Sequence, residues 1–121
     1  MKNDIKTSED IDVCMHAFYQ KLLNDELTKP IFEYLDLTKH MPKIIAFWEF
    51  ILLDKEGYKT NVFEQHVHLN LDKNHFITWL RYFNETIDEM YEGEKCEMAK
   101  QRALMLANTF YYKLSGEFYS F

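Results

Sequence analysis

Glycine and proline are scarce in this chain of 121 residues, which contains three of the former and two of the latter. So few turn-forming residues do not suit the many tight turns of a β-sandwich or β-barrel. No run of strictly alternating apolar and polar residues stands out either. We therefore predict an all-α fold, and the length predicts one domain over residues 1–121.

Motifs for common metal and nucleotide chemistry are also missing. The two cysteines, Cys14 and Cys96, are far apart in the sequence, which argues against a disulfide framework or a cysteine zinc site. There is no HExxH motif, no GxGxxG motif and no glycine-rich phosphate loop. These absences exclude the usual metal hydrolases, dinucleotide enzymes and NTPases.

Positive charge is not concentrated in any segment, and the net charge is −6. We therefore expect no nucleic-acid partner. The longest apolar stretch, residues 44–53, is interrupted by Glu49 and has about half the length of a membrane span. With a polar N-terminal segment as well, the sequence predicts a cytoplasmic protein with no membrane partner.

Aromatic residues, in contrast, are abundant: ten Phe, eight Tyr and two Trp. Such an excess suits the walls around a large flat ligand. It equally suits a small protein that fills its core with bulky side chains. Composition alone leaves both interpretations open.

Helical periodicity organises the N-terminal half. A first helix is predicted from Thr7 or Ser8 to about Asn24, with Ile11, Cys14, Met15, Phe18 and Leu22 on one face. A short helical turn follows over residues 29–34. The next long helix is predicted to start near Lys39, with Pro42 in its first turn and two neighbouring apolar stripes that imply burial on two sides.

The C-terminal half continues the pattern after a polar break at residues 54–61. Residues 62–68 could form two helical turns, and Asp72 is expected to cap a long helix that Gly93 stops. The last predicted helix runs from Glu94 to about Ser115. Its small residues Ala99 and Ala103 would let a neighbouring helix approach closely.

Histidine is the first residue type to consider for chemistry, and five are present: His16, His40, His66, His68 and His75. His66 and His68 are two positions apart, so on a helix they point about 200° from one another and cannot share a metal. The local sequence by itself favours an ordinary surface role for each histidine.

The order of several short segments is more informative. They are HAFYQKLLND at 16–25, PIF at 30–32, His40 seven residues before Phe47-Trp48, Leu52-Leu53, HVHLNL at 66–71, HFITWLRYF at 75–83 and AKQRALMLANTF at 99–110. In this order and with these gaps the chain resembles the truncated haemoglobins of group III. No single segment is decisive, but the ordered set covers nearly the whole chain.

The resemblance implies a truncated globin fold, a helix-on-helix sandwich around a haem pocket. It makes His66 the proximal iron ligand and His68 a bystander, and it places Tyr19, His40 and Trp79 on the distal side. The chain departs from the family at Asn70, where a proline is usual, and at Asp54, where a glycine often follows the Leu-Leu pair.

Further haem contacts are expected from residues on these same segments. His40, Ile44 and Phe47 form one helical stripe that could face the distal side. The other candidates are Trp48, Phe63, Phe76, Phe83 and Met105. Lys43, Tyr34 and Arg81 are candidates for the propionates at the pocket rim. Each of the apolar residues could equally be plain core.

The function that the resemblance implies is reversible binding of oxygen, nitric oxide or another diatomic ligand by a five-coordinate b-type haem. The chain has no CxxCH motif that would attach the haem covalently. Strong hydrogen bonds to the ligand would slow its release, which favours redox chemistry on the bound ligand over oxygen transport. An external electron donor would then be needed. A haem-based gas sensor and a globin-like interaction protein without haem remain alternatives, and the sequence does not decide whether the protein is an enzyme.

Overall fold

The computed structural model of the chain describes residues 2–33, 36–55 and 71–121. Over these ranges all regular secondary structure is helical. The helices are α1 (Ser8–Leu23), α2 (Lys29–Phe32), α3 (Leu37–Leu53), α4 (Lys73–Met90) and α5 (Glu94–Ser115). The prediction of an all-α fold is confirmed.

The four long helices stack as two pairs. Helix α1 packs against α3, and α4 packs against α5. The pairs meet where α1 contacts α4 and where α3 contacts α5, while the short α2 lies on α1. This is the predicted helix-on-helix sandwich, and its core contains the apolar faces of all five helices.

Helix α1 begins where its capping residues predict. Thr7 is the N-cap, and its side chain accepts a hydrogen bond from the backbone N–H of Asp10, whose carboxylate accepts from Thr7 in return. This reciprocal pair is a capping box, which satisfies two backbone N–H groups that the helix itself leaves free. All five residues predicted for the inner face of this helix are buried.

Helix α3 begins two residues earlier than predicted. Its N-cap is Asp36, whose carboxylate accepts from the backbone N–H of Thr38, so the helix starts at Leu37 rather than near Lys39. Pro42 therefore lies in the second turn, not the first. The proline ring points to solvent, where its missing N–H is least disruptive.

The two apolar stripes of α3 are buried to different degrees. Met41, Trp48 and Leu52 are buried, whereas the stripe of Ile44, Phe47 and Ile51 is only partly buried against the core. Ile45, which belongs to the first stripe, is only partly buried, so burial is nearly complete for one stripe and partial for the other.

Asp54 ends helix α3 in the left-handed region, with φ 55° and ψ 28°. This conformation costs a residue with a Cβ atom more than it costs glycine. A glycine would be favoured here, which gives a physical reason for the glycine expected after the Leu-Leu pair.

Helices α4 and α5 form a hairpin through a three-residue connection. Asp72 caps α4 as predicted, accepting hydrogen bonds from the backbone N–H groups of Asn74 and His75. Gly93 does not stop α4, however: the helix ends at Met90, and Gly93 is the N-cap of α5. Its φ of 139° is a conformation that only glycine adopts readily.

Because Gly93 has no side chain to cap α5, the N-terminal segment supplies one. The carboxylate of Asp4 accepts hydrogen bonds from the backbone N–H groups of Lys95, at 2.8 Å, and Cys96, at 3.1 Å. Neighbouring Ile5 is buried in the core, and the backbone N–H of Glu92 donates to the carbonyl of Asn3. The segment before α1 is thereby fixed to the α4–α5 connection.

The two cysteines are free thiols, as the sequence suggested. Both are buried, and burial raises the pKa of Cys14 and of Cys96 to about 12. At neutral pH both are protonated, so they behave as small apolar side chains rather than as nucleophiles.

Candidate functional site

Aromatic rings from four helices meet at one place in the core. We call this group the central aromatic cluster; it comprises Phe18 and Tyr19 of α1, Phe32 of α2, Phe47 and Trp48 of α3, and Trp79 and Phe83 of α4. Phe18 lies at its centre, with ring centroids 5.1 Å from Tyr19, 5.6 Å from Trp79 and 5.3 Å from Phe83. Most of these contacts are edge-to-face, the geometry that aromatic pairs prefer.

Tyr19 is buried in this cluster and held by rings on two sides. Its ring meets Phe18 at 5.1 Å and Phe32 at 5.7 Å, both edge-to-face. Its hydroxyl makes no hydrogen bond to another of the described residues, and burial alone raises the pKa of Tyr19 far above its ordinary value. The phenol is therefore a neutral donor at any physiological pH.

Trp79 and Phe83 are four positions apart on one face of α4, and both contact the ring of Phe18. The ring of Trp79 stacks on Phe83 at 5.6 Å with an interplanar angle of 19° and meets the ring of Phe18 at 71°. Trp79 is only partly buried. The fold thus brings Tyr19 and Trp79, sixty positions apart in the sequence, into contact with one shared ring.

The predicted stripe of His40, Ile44 and Phe47 runs along the first three turns of α3, and all three side chains are partly buried. Phe47 joins the central aromatic cluster through Trp48, at 5.1 Å between ring centroids. Trp48 is buried and lies 5.1 Å from Phe83. A polar ring at the helix start therefore leads into an apolar surface beside the cluster.

Phe76 and Met105 are not members of the central aromatic cluster. Phe76 packs instead on Tyr111 and Phe121, with centroid distances of 5.8 Å and 5.6 Å, in a second aromatic group near the C-terminal segment. Met105 is 57% exposed on α5. Their assignment as haem contacts stays a prediction.

The predicted iron ligand His66 and the predicted contact Phe63 lie outside the described residues, as do bystander His68, rim candidate Tyr34 and the helical turns expected at 62–68. In the part of the chain that is described, no three His, Cys, Asp or Glu side chains are grouped so as to hold a metal ion. Two of the described histidines already have partners. His75 accepts a hydrogen bond from Asp72 at the start of α4, and His16 contacts Asp12 on the surface of α1.

Three polar side chains interact beside the central aromatic cluster, and the sequence did not predict this arrangement. The hydroxyl of Tyr82 donates to a carboxylate oxygen of Asp25 at 2.6 Å, and the guanidinium of Arg81 lies 3.7 Å from the same oxygen and 4.8 Å from the centre of the Tyr82 ring. The hydrogen bond from Tyr82 is the main cause that holds the pKa of Asp25 below its usual value. Arg81, which the sequence suggested as a residue that binds the haem propionates, thus contacts Asp25 in the structure. Since 57 positions separate Asp25 from Tyr82, no local pattern could have paired them.

The described helices include none that is both long and apolar enough to cross a membrane. This agrees with the charged residues that interrupt every long helix.

Comparisons with known proteins give two matches over nearly the full length, while no family model matches the chain. The group 3 truncated haemoglobin ctb of Campylobacter jejuni is 30% identical over 126 residues, covering 96% of this chain and 99% of that protein. The crystal structure of group III truncated haemoglobin from Campylobacter jejuni has a TM-score of 0.83 and 30% identity, covering 94% of this chain and 95% of that one. The similarity therefore extends to the whole arrangement of helices.

Proposed function

Because the chain belongs to the group III truncated haemoglobins, we propose that it binds haem noncovalently and holds oxygen or another diatomic molecule between Tyr19 and Trp79. Membership of a haemoglobin family implies a haem cofactor. We propose that this haem is of the b type.

The observation that carries the proposal is the placement of Tyr19, whose side chain is buried among aromatic rings while its hydroxyl has no hydrogen bond to a described residue. A buried polar group without a partner costs about 1–3 kcal/mol, so native proteins rarely keep one without a use. A bound ligand with partial negative charge would supply the missing acceptor. The residues present therefore fit a haem pocket with a polar distal side.

His66 is proposed as the axial ligand, because a neutral imidazole nitrogen is the usual protein ligand of globin haem iron. When bound, the haem would supply an iron that can bind a diatomic molecule. The walls are proposed from Ile44, Phe47, Trp48, Phe63, Phe76, Phe83 and Met105, and His40 is proposed as a polar group at the distal entrance.

Two hydrogen-bond donors of the chain determine how long the ligand stays bound. The O–H of Tyr19 and the indole N–H of Trp79 can both point at an acceptor that carries negative charge. In a dry site each such bond contributes about 1.5–3 kcal/mol, so two of them retain the ligand far longer than a transport protein needs. This favours redox chemistry on the bound ligand, such as reaction with nitric oxide or reduction of a peroxide, with electrons from an external donor.

The decisive experiment is the visible spectrum of the purified, haem-loaded protein after reduction, with and without carbon monoxide. A shift of the Soret band on addition of carbon monoxide is the expected result, since it requires iron with an open coordination site. Extraction of all haem by acidified organic solvent would support noncovalent attachment.

His66→Ala tests the axial ligand, and His68→Ala is its matched control two positions away. We expect the first substitution to abolish the five-coordinate spectrum and the second to leave it intact. If the protein takes up no haem, or if both variants keep the native spectrum, the assignment of His66 is wrong. A change of oligomeric state on ligand binding, without turnover by a reductant, would support the gas-sensor alternative.

A further inference from the structure

The hydrogen bond between Tyr82 and Asp25 has the geometry of a proton-transfer pair. At 2.6 Å from phenol oxygen to carboxylate oxygen it is a short, charge-assisted bond. The Asp25 carboxylate also accepts from the backbone N–H of Leu27 at 2.8 Å, which fixes its orientation. Since the pKa of Asp25 is held below its usual value, the carboxylate is ionised at neutral pH and can receive a proton.

A nearby carboxylate matters when a tyrosine loses an electron. The radical cation of tyrosine is a far stronger acid than any carboxylic acid, so the electron leaves readily only if the phenol proton can leave with it. Asp25 is positioned to take that proton even with its lowered pKa. Tyr82 is thus prepared for one-electron oxidation.

Tyr82 is also close to the pocket proposed above. It lies three positions after Trp79 on helix α4, and residues at this spacing are neighbours on a helix surface, about 5–6 Å apart at their Cβ atoms. Trp79 contacts Phe18 and Phe83 in the central aromatic cluster. An oxidisable indole that belongs to the cluster is therefore a neighbour of Tyr82 on the helix surface.

Three other described tyrosines are less suited to this role. Tyr19 is nearer the proposed ligand, but its hydroxyl has no proton acceptor among the described residues. Tyr91 donates to a carboxylate oxygen of Asp10, but at 3.3 Å. Tyr112 is 43% exposed and its ring stacks on that of Phe118.

We infer that Tyr82 is a redox-active residue that delivers an electron to the pocket through Trp79 while its phenol proton passes to Asp25. The inference rests on the proposed function, with hydrogen peroxide as the oxidant. Reduction of one peroxide to two waters takes two electrons and two protons. Tyr82 supplies one electron as its O–H bond breaks, and the external reductant supplies the other.

The cycle closes when the same reductant returns an electron to the Tyr82 radical and Asp25 returns the proton. The two protons that form water come from solvent, so neither residue is consumed. The chain's own contribution is a temporary electron source near the pocket that keeps oxidising equivalents from damaging other side chains.

The test is electron paramagnetic resonance of the haem-loaded protein, frozen shortly after mixing with hydrogen peroxide without reductant, so that the haem would supply the electron that the reductant otherwise gives and the Tyr82 radical would persist. We expect a tyrosyl signal whose hyperfine pattern changes when ring-deuterated tyrosine is incorporated. Tyr82→Phe should lose it, whereas Tyr112→Phe and Tyr91→Phe should keep it. Asp25→Asn should shift the g-value that reports the hydrogen bond to the radical oxygen, a change that merely structural damage would not produce.

Haem uptake, measured by the Soret band of each variant, separates the two hypotheses. If haem is bound and peroxide is consumed but the Tyr82→Phe variant keeps the wild-type signal, the inference is wrong and the proposed function stands. If no haem is bound, the proposed function fails, and a photogenerated ruthenium oxidant then tests the Tyr82–Asp25 pair directly in the same variants. A tyrosyl signal unchanged by Tyr82→Phe and by Asp25→Asn would overturn the inference there too.

Discussion

Replacing Tyr19 by Phe separates the contribution of its hydroxyl to folding from its contribution to ligand binding. The ring contacts with Phe18 and Phe32 would be retained, because only the oxygen is removed. In the haem-free protein the Tyr19 side chain is buried, and its hydroxyl has no hydrogen bond to a described residue. Removing a largely desolvated hydroxyl that has no such partner relieves a desolvation penalty, so we expect the free energy of unfolding to be unchanged or higher, by up to about 2 kcal/mol.

The haem-loaded protein should respond in the opposite sense. One charge-assisted hydrogen bond, worth about 1.5–3 kcal/mol, would be lost from the bound ligand. At 1.4 kcal/mol for each factor of ten, oxygen dissociation should become about 10- to 100-fold faster. Stopped-flow displacement of oxygen by carbon monoxide measures this rate, and urea unfolding followed by circular dichroism measures stability.

Tyr82→Phe is the matched control for the stability measurement, because it removes the same atom from a hydroxyl that does have a partner. Its bond to the Asp25 carboxylate predicts a loss of about 1.5–3 kcal/mol. If Tyr19→Phe destabilises the haem-free protein as much as Tyr82→Phe does, the Tyr19 hydroxyl has a partner in solution. The reasoning that connects the unpartnered phenol to ligand binding would then be refuted.

Two further predictions concern the junction between the N-terminal segment and α5. A Cβ atom at Gly93 would lie 2.6 Å from Cγ of Asp4, and φ there is 139°, so Gly93→Ala should lower the free energy of unfolding, measured in urea, by about 2–4 kcal/mol. Gly116→Ala is the control: φ is positive there too, but the new atom meets open space, so the loss should be only about 1 kcal/mol. Equal losses in the two variants would contradict the steric explanation. Burial raises the pKa of Asp4, but hydrogen bonds from Lys95, Ile5 and Cys96 outweigh it and leave the pKa below 3.8. The ionised carboxylate therefore stabilises the folded protein above that pH, and this stabilisation is lost as the pH falls through the pKa of the folded state. The difference in unfolding free energy between wild type and Asp4→Asn should therefore shrink on acidification below pH 3.8, and a constant difference would show that the charge on Asp4 is irrelevant.

How well each helix boundary could be predicted depends on whether its determinants are local. Thr7 and Asp72 cap their helices through residues within one turn, so the sequence alone located both starts. The start of α3 was misplaced because Pro42 suggested a first turn, whereas the carboxylate of Asp36 caps the helix earlier. The sequence predicts that Gly93 ends one helix, whereas its backbone conformation and the distant Asp4 make it the N-cap of the next.

The candidate site depends even more than the helix boundaries on contacts between residues that are distant in the sequence. The 3.6-residue period predicted that Phe18 and Phe83 face inward, and both are buried. That Tyr19 and Trp79 share the ring of Phe18 depends on how α1 crosses α4, which periodicity does not specify. Only the family resemblance predicted their association. It did not distinguish Phe76, which packs with Tyr111, from the residues of the central aromatic cluster.

The way Tyr19 is held has a consequence for ligand binding. Among the described residues, rings and not hydrogen bonds fix its orientation, so the hydroxyl is already oriented and desolvated before any ligand arrives. A donor held by a hydrogen bond to the protein would first have to break that bond, and part of the interaction with the ligand would be lost in doing so. Packing by Phe18 and Phe32 avoids this loss. The aromatic excess in the composition thus supports both interpretations that the sequence left open, because the same rings that fill the core also preorganise the donor.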